Sequence, residues 1–455
     1  MIVPFGIHSY QHRSRSLSAQ RMLNCYLEQA PPSAKTLAAV VSSFGISSFT
    51  TAGNGPIRGG LVVNGTLFVV SGNGLYRISS AGTATSLGTT PNTDRVFMAG
   101  DGINVLVVTQ GDGYVYDGST VAQITDADFP GAKACGFLDG YILIIEPDSG
   151  RLWVNETPYT ATGWNALDFA TAEGAPDDLV GLIVDHREIF LFGRASTEVW
   201  YNSGNADFPM ERTPSGFIEI GLLSTHGVTK ADNSVFFAAN DYTIRRLEGY
   251  TPVRISTHAV EQAIESYADK TCYAMSWVEG GHTFVSFTFA AGTWVYDVST
   301  QLWHERQSYG YDNWRPVFAL RAYDRLLVGD SQSNKIGELD YESFMEWDQP
   351  LVASCTAPAI ANENRVIRHS SLELVFEQGV GTATGQGSDP DVMLQWSDDG
   401  GRTWSNEYRR KLGKVGEYKK RVIFNRLGSA RDRVYRYAIS DPVRRTLIQA
   451  VLSAA

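Results

Sequence analysis

The stretch SDDGGRTW, residues 397–404, sets its side chains at the spacing S-x-D-x-G-x-T-W, an Asp box. Such a box lets the Asp399 carboxylate accept hydrogen bonds from turn amides and from the Thr403 hydroxyl, with Trp404 packed beneath. Ser397, Asp399, Gly401, Thr403 and Trp404 would then fasten a hairpin, which is structural chemistry. His8 and His12 lie four apart, but HSYQH lacks the glutamate of an HExxH metal motif, so they read as two surface histidines. His226, in the turn-rich GLLSTHGVTK (221–230), has no GxSxG nucleophile motif beside it and reads as a hydrogen-bonded loop residue. Asp177 and Asp178 follow Pro176 in a loop and do not form an acid–base pair. Cys25, Cys135, Cys272 and Cys355 are far apart with no CxxC, which signals neither zinc nor a disulfide framework; they read as buried apolar side chains. No catalytic residue, metal or cofactor is expected.

A second constellation is electrostatic. Between Arg402 and Arg445 fourteen basic residues face four acidic ones, a net +10. The whole chain carries −11, so the remainder carries −21. An acidic body repels nucleic acid, and a basic end can dock acidic surfaces. Arg409, Arg410, Lys411, Lys414, Lys419, Lys420, Arg421 and Arg426 are the candidate protein-interface residues, against the alternatives of a solvated sheet face or direct DNA contact.

These groups need a scaffold, and the chain builds one by repetition. Residues 64–79 (NGTLFVVSGNGLYRIS) read as a strand at 67–70, a polar turn and a second strand at 75–78. The first strand is apolar on both faces, which implies burial between neighbouring sheets. Related hairpins recur, with second-strand markers at Tyr76, Tyr116, Trp153, Trp200, Arg245, Tyr296 and Gly337, spaced 40, 37, 47, 45, 51 and 41 residues apart. Periods of about 40–50 residues with short strands are those of four-stranded β-propeller blades. The units are Val-, Phe-, Tyr- and Gly-rich, unlike helical arrays of similar period, and they number six to seven, the last two being weaker.

Residues 1–55 do not resemble the blades and read as an N-terminal arm that crosses the surface or supplies one strand to the last blade. Residues 56–348 hold the propeller, interrupted by one helix candidate at 258–270 with Val260, Ile264 and Tyr267 on one face. From 349 to 455 the texture changes. Strands at 371–376, 392–396, 403–409, 421–424, 433–439 and 444–451, with a flexible linker at 379–391, predict an antiparallel β-sandwich. The fold class is therefore all-β, a propeller with an additional C-terminal sandwich. No apolar run approaches the roughly 18 residues of a membrane helix, and the start lacks the apolar core of a signal peptide. A soluble protein made in a cytoplasm is expected.

Asp boxes occur in sialidases, which suggests a carbohydrate-binding or sialidase-like propeller as an alternative, with Trp153, Trp164 and Trp200 as candidate sugar platforms. A sialidase would repeat the box in several blades; here it occurs once, outside the repeats.

The segments SYQHRSRSLSAQRMLNCYLEQAPPSAK and GPIRGGLVV, with the ending WSDDGGRTWSNEYRRKLGKVGEYKKRVIFNRLGSARDRVYRYAISDP, resemble the tail-hub, nozzle or packaged-DNA stabilisation proteins of short-tailed bacteriophages. The resemblance implies a non-enzymatic virion protein, made in the host bacterial cytoplasm. It implies a homohexameric ring below the portal and its adaptor (head-completion) protein, through whose lumen DNA passes without specific binding. Such a ring extends the DNA channel, helps retain the packaged genome and forms part of the ejection conduit. A tail fibre, spike or needle is left open as a further partner.

Overall fold

The computed structural model describes residues 1–91 and 93–454. Within the first repeat, strands Ile57–Val63, Thr66–Ser71, Gly74–Ile78 and Ala84–Thr89 pair antiparallel in chain order. Alternation decides where their side chains go. Leu67 and Val69 enter an apolar cluster with Val317, Phe318 and Leu327 of the seventh blade, while Phe68 and Val70 enter another with Val105 and Val107 of the second. That two-sided burial is why this strand is apolar throughout.

The pattern repeats around a ring of seven blades. Five are separate four-stranded sheets, spanning residues 57–89, 97–123, 134–171, 179–218 and 228–254. The sixth comprises Tyr273–Glu279, His282–Phe289, Gly292–Asp297 and Leu302–Arg306. The seventh takes Pro316–Ala322, Arg325–Asp330 and Lys335–Asp340 and completes itself with the N-terminal strand Gly45–Thr51, paired antiparallel as Leu339↔Ile46. A separate apolar cluster fills each gap between adjacent blades.

In six blades the first two strands are joined by a two-residue turn with positive φ at both positions: Asn64-Gly65, Asp139-Gly140, His186-Arg187, Asp232-Asn233, Gly280-Gly281 and Tyr323-Asp324. These are the turns whose twist matches the flanking strands. The helix His258–Ser266 sits between blades five and six, burying Val260 and Ile264. It stops short of the expected 270 because Tyr267 is extended (ψ 137°) and the Lys270 ammonium takes the Glu265 carbonyl (2.6 Å).

The sandwich is built from both ends of the chain. One sheet orders Cys25–Gln29, Ala38–Ser42, Leu447–Ala454, Ile367–Phe376 and Val422–Asn425. The other orders Ala19–Leu23, Ala353–Thr356, Asp432–Ile439, Asp391–Ser397 and Tyr408–Lys411. Ala19–Leu23 also pairs parallel with the outer strand of blade six, at Leu23↔Glu305, so that sheet runs unbroken from propeller to sandwich. Residues 19–42 thus join the sandwich before the chain reaches its strand in the last blade. The stretch expected as a flexible linker folds back instead, with the Thr382 amide donating to the Gly387 carbonyl (2.9 Å). All four cysteines are buried, Cys25 and Cys355 in the sandwich core.

Candidate functional site

The Asp box occupies the turn after Asp391–Ser397. The Ser397 hydroxyl donates to Asp399 Oδ1 (2.7 Å) and accepts from the Gly401 amide (2.7 Å). Asp399 also accepts from the amides of Arg402 and Thr403 (2.9 Å each) and from the Thr403 hydroxyl (2.6 Å). Donors converging from Ser397 and then Thr403 hold this carboxyl well below the usual carboxylate range. Gly400 and Gly401 have φ of +75° and +86°, and a Cβ on Gly400 would meet the Arg15 backbone at 3.0 Å. The box therefore packs its turn against the N-terminal segment. The paired strand begins at Tyr408 instead of the expected 403, because residues 399–405 are spent on the turn and on the bond from the Ser405 amide to the Trp396 carbonyl (2.8 Å). Trp153, Trp164 and Trp200 are buried in inter-blade clusters, which removes them as sugar platforms.

Two groups stand out in the basic segment, and Arg402, Arg431, Arg436 and Arg444 lie outside both. Arg409, Arg410, Lys411, Lys414, Lys419, Lys420, Arg421 and Arg426 are all exposed, on or beside the edge strand Tyr408–Lys411. Arg409 pairs with Glu407 (2.8 Å), Lys411 with Asp391 (3.2 Å) and Asp389 (3.3 Å), and Arg421 forks onto Glu373 (2.7 and 2.6 Å). Among the described residues Lys414, Lys419, Lys420 and Arg426 make no ion pair, and Val415 and Tyr418 stand exposed between them. The second population is internal. Arg433 is buried and forks onto Asp398 (2.6 and 2.8 Å). Arg445, also buried, faces only carbonyls: Val443, Ile439 and Phe344 (3.1 Å each) and Leu351. Its acceptors come from the sandwich and from the end of the propeller, so it pins one to the other; burial pushes its guanidinium down to about 10. Not all of the 402–445 charge is therefore available to a partner.

Side chains from several blades meet across the propeller axis. Phe97 of blade two stacks on His226, which precedes blade five, with centroids 3.9 Å apart and planes within 5°. His226 lies 5.6 Å from Tyr273 of blade six, and Arg95 covers that ring at 4.3 Å while donating to the Val317 carbonyl of blade seven. Side chains from opposite sides of a seven-blade ring can meet only on its axis. His226 is a loop residue, as expected, whose carbonyl accepts from the Ala274 amide (2.8 Å), and its ring joins this axial stack. Burial, and then the neighbouring Arg95 charge, hold it well below the usual histidine range. Asp177 accepts the amides of Arg194, Ala195 and Ser196 (2.9, 2.6 and 3.0 Å), which occupies it in a turn. His8 and His12 flank the Tyr10 ring at 5.5 and 6.3 Å.

Sequence reasoning missed the buried arginines and the axial stack. The signal for one was present: Arg58 interrupts the apolar strand IRGGLVV, and inside it donates to the Gly72 and Thr90 carbonyls (3.0 Å each) and to Thr109 Oγ1 (2.7 Å), tying blade one to blade two.

No curated protein matches this sequence. Among solved structures, the BBS1N chain of the crystal structure of BBS1N in complex with ARL6DN, soaked with mercury, is 10% identical, with 66% of this chain and 94% of that one covered and a TM-score of 0.43. The Dos1 propeller is 11% identical, with 72% and 96% covered and a TM-score of 0.40. Two family profiles match: that described as bacteriophage P22 Gp10, beta-propeller, over residues 26–344, and that described as bacteriophage P22 Gp10, beta-sandwich, over residues 353–454. With the two profiles lying over the propeller and the sandwich, this chain belongs to the bacteriophage P22 Gp10 family of structural tail proteins.

Proposed function

We propose that this protein is a non-enzymatic tail hub that closes as a homohexameric ring below the portal and its adaptor. In this reading it extends the DNA channel, helps retain the packaged genome and forms part of the ejection conduit. The observation that carries the proposal is the division of charge. A cationic edge with Lys414, Lys419, Lys420 and Arg426 unpaired stands on a chain whose remainder carries −21. Free guanidinium and ammonium groups suit docking onto acidic protein surfaces, and the acidic remainder repels phosphates so that a passing genome is not gripped. The side chains that meet across the propeller axis are consistent with the same reading, in which DNA passes between copies and not through one.

Replacing Arg409, Arg410 and Lys411 by glutamate tests the docking role. The variant should fold, because all three are exposed, and should be absent from purified virions. Normal incorporation of the folded variant, scored by imaging of particles, would remove this edge from the assembly interface.

A further inference from the structure

The continuous sheet joining blade six to the sandwich carries a trough across its strands. Its floor crosses five strands: Trp294 lies opposite Glu305, Arg21 opposite Thr356 and Thr356 opposite Arg436, and the Arg21–Glu305 ion pair joins the two parts. The loop bearing Arg13 and Arg15, the helix at Ala259 and Ala263, and the Asp-box turn at Trp404 wall it in, enclosing about 610 Å³. Five strands at roughly 4.8 Å spacing make a floor about 19 Å long, the reach of about six extended residues.

The charges in this trough are unbalanced. Arg21 and Glu305 neutralise each other at 2.8 Å. Arg436 makes no ion pair among the described residues: it donates to Gln395 Oε1 (2.6 Å) and lies 4.0 Å over the Trp404 ring. Arg13 and Arg15 are exposed and likewise without a carboxylate among the described residues. Three guanidiniums thus line one side of a groove long enough for a strand-like ligand. At one end the trough adjoins a hollow lined by His12, Arg13, His258, Gln262, Glu265 and Glu261, the last paired with Arg254.

We propose that this trough docks an extended acidic segment of another protein chain, its carboxylates taken by Arg436, Arg13 and Arg15. Planar guanidinium forks match carboxylates, and the Trp404 ring holds Arg436 in place for one. A nucleic acid fits less well, because the Trp404 face that base stacking would use is already covered by Arg436. The site is separate from the 408–426 edge and does not rest on the tail-hub reading.

The test uses the purified full chain and a fluorescently labelled, capped octaglutamate, followed by anisotropy at low salt. The wild type should bind it saturably. The double variant Arg13→Ala/Arg15→Ala, confined to exposed residues, should weaken binding several-fold, and adding Arg436→Gln should bring the loss to about tenfold. Lys414→Ala/Lys419→Ala/Lys420→Ala on the separate edge should change it less than about twofold. A labelled eight-nucleotide oligothymidylate should bind more weakly than the peptide. No saturable binding by the wild type, loss in the edge variant without loss in the trough variants, or tighter binding of the oligonucleotide would each overturn the proposal.

Discussion

Replacing Arg445 by methionine tests how the sandwich is held to the propeller. Methionine keeps much of the side chain's apolar packing and removes every donor. The carbonyls of Val443, Phe344 and Leu351 would then lose their partner, while that of Ile439 keeps its place in the ladder opposite Ala353. At about 2 kcal/mol for each of these three acceptors the loss is about 6 kcal/mol. Against it stands the relief of no longer burying a charge. The fall of the guanidinium from 12.5 to about 10 values that relief at about 3 kcal/mol. A net destabilisation of about 3 kcal/mol follows, worth about 10–20 °C in Tm for a unit of the sandwich's size. Differential scanning calorimetry should show the sandwich melting earlier, as a transition split from that of the propeller, because Phe344 lies on the propeller side of the joint. Arg445→Lys keeps three donors and should recover part of the loss. A Tm for the methionine variant within about 3 °C of wild type would show that the four bonds contribute little beyond the penalty of burying the charge.

Three further outcomes are expected. Gly337→Val should destabilise the seventh blade by about 1–3 kcal/mol, because a Cβ there would lie 2.3 Å from Ile46 and 2.6 Å from the Trp347 indole nitrogen; urea unfolding measures it. Asp399→Ala should speed amide exchange at Arg402 and Thr403 without disturbing the sandwich core, as read by NMR or mass spectrometry. His304, held neutral to about 3 by burial and then by Arg306, stays unprotonated in the fold while the unfolded chain takes up a proton near 6.5. Its contribution is therefore lost as pH falls between those values, by about 1.4 kcal/mol per unit. His282 opposes this, being raised by Asp297, so the comparison is made within one pair. The stability slope between pH 6 and 4 should be shallower in His304→Gln than in wild type, and equal slopes would refute the assignment.

Much of the propeller was legible because its physics is local. A strand packed between two sheets must be apolar on both faces, and 66–71, 105–109, 141–145 and 188–193 announce themselves in that way. The first-hairpin turns were harder to see, since positive φ is met by Asn-Gly in one blade and by His-Arg or Tyr-Asp in others. Gly337 looked like a weak repeat because aromatic residues mark most of the other units; Ile46 and Trp347 fill the space an aromatic ring would have taken. Nothing local indicated that residues 19–42 enter the sandwich, because their partners lie more than three hundred residues away in sequence, as the bond from Asn24 to the Val352 carbonyl illustrates (328 residues). The Asp box was readable to the atom because every donor lies within a few residues of Asp399. The value of each arginine was not, since Arg433 and Arg421 differ only in what the fold places around them.

Closing the ring with Gly45–Thr51 has a consequence for biosynthesis. The side chain of Asn334 reaches the Gly53 carbonyl across 281 residues of chain (2.6 Å), so the strand leaves the ribosome long before its mates do. At about 5–20 residues per second that delay is on the order of 15–60 s. Throughout it, GISSFTT, a charge-free segment rich in β-branched and aromatic residues, has no ladder to join. Nascent chains on crowded polysomes could pair through it with one another, which makes synthesis rate and chaperone supply the natural controls on yield.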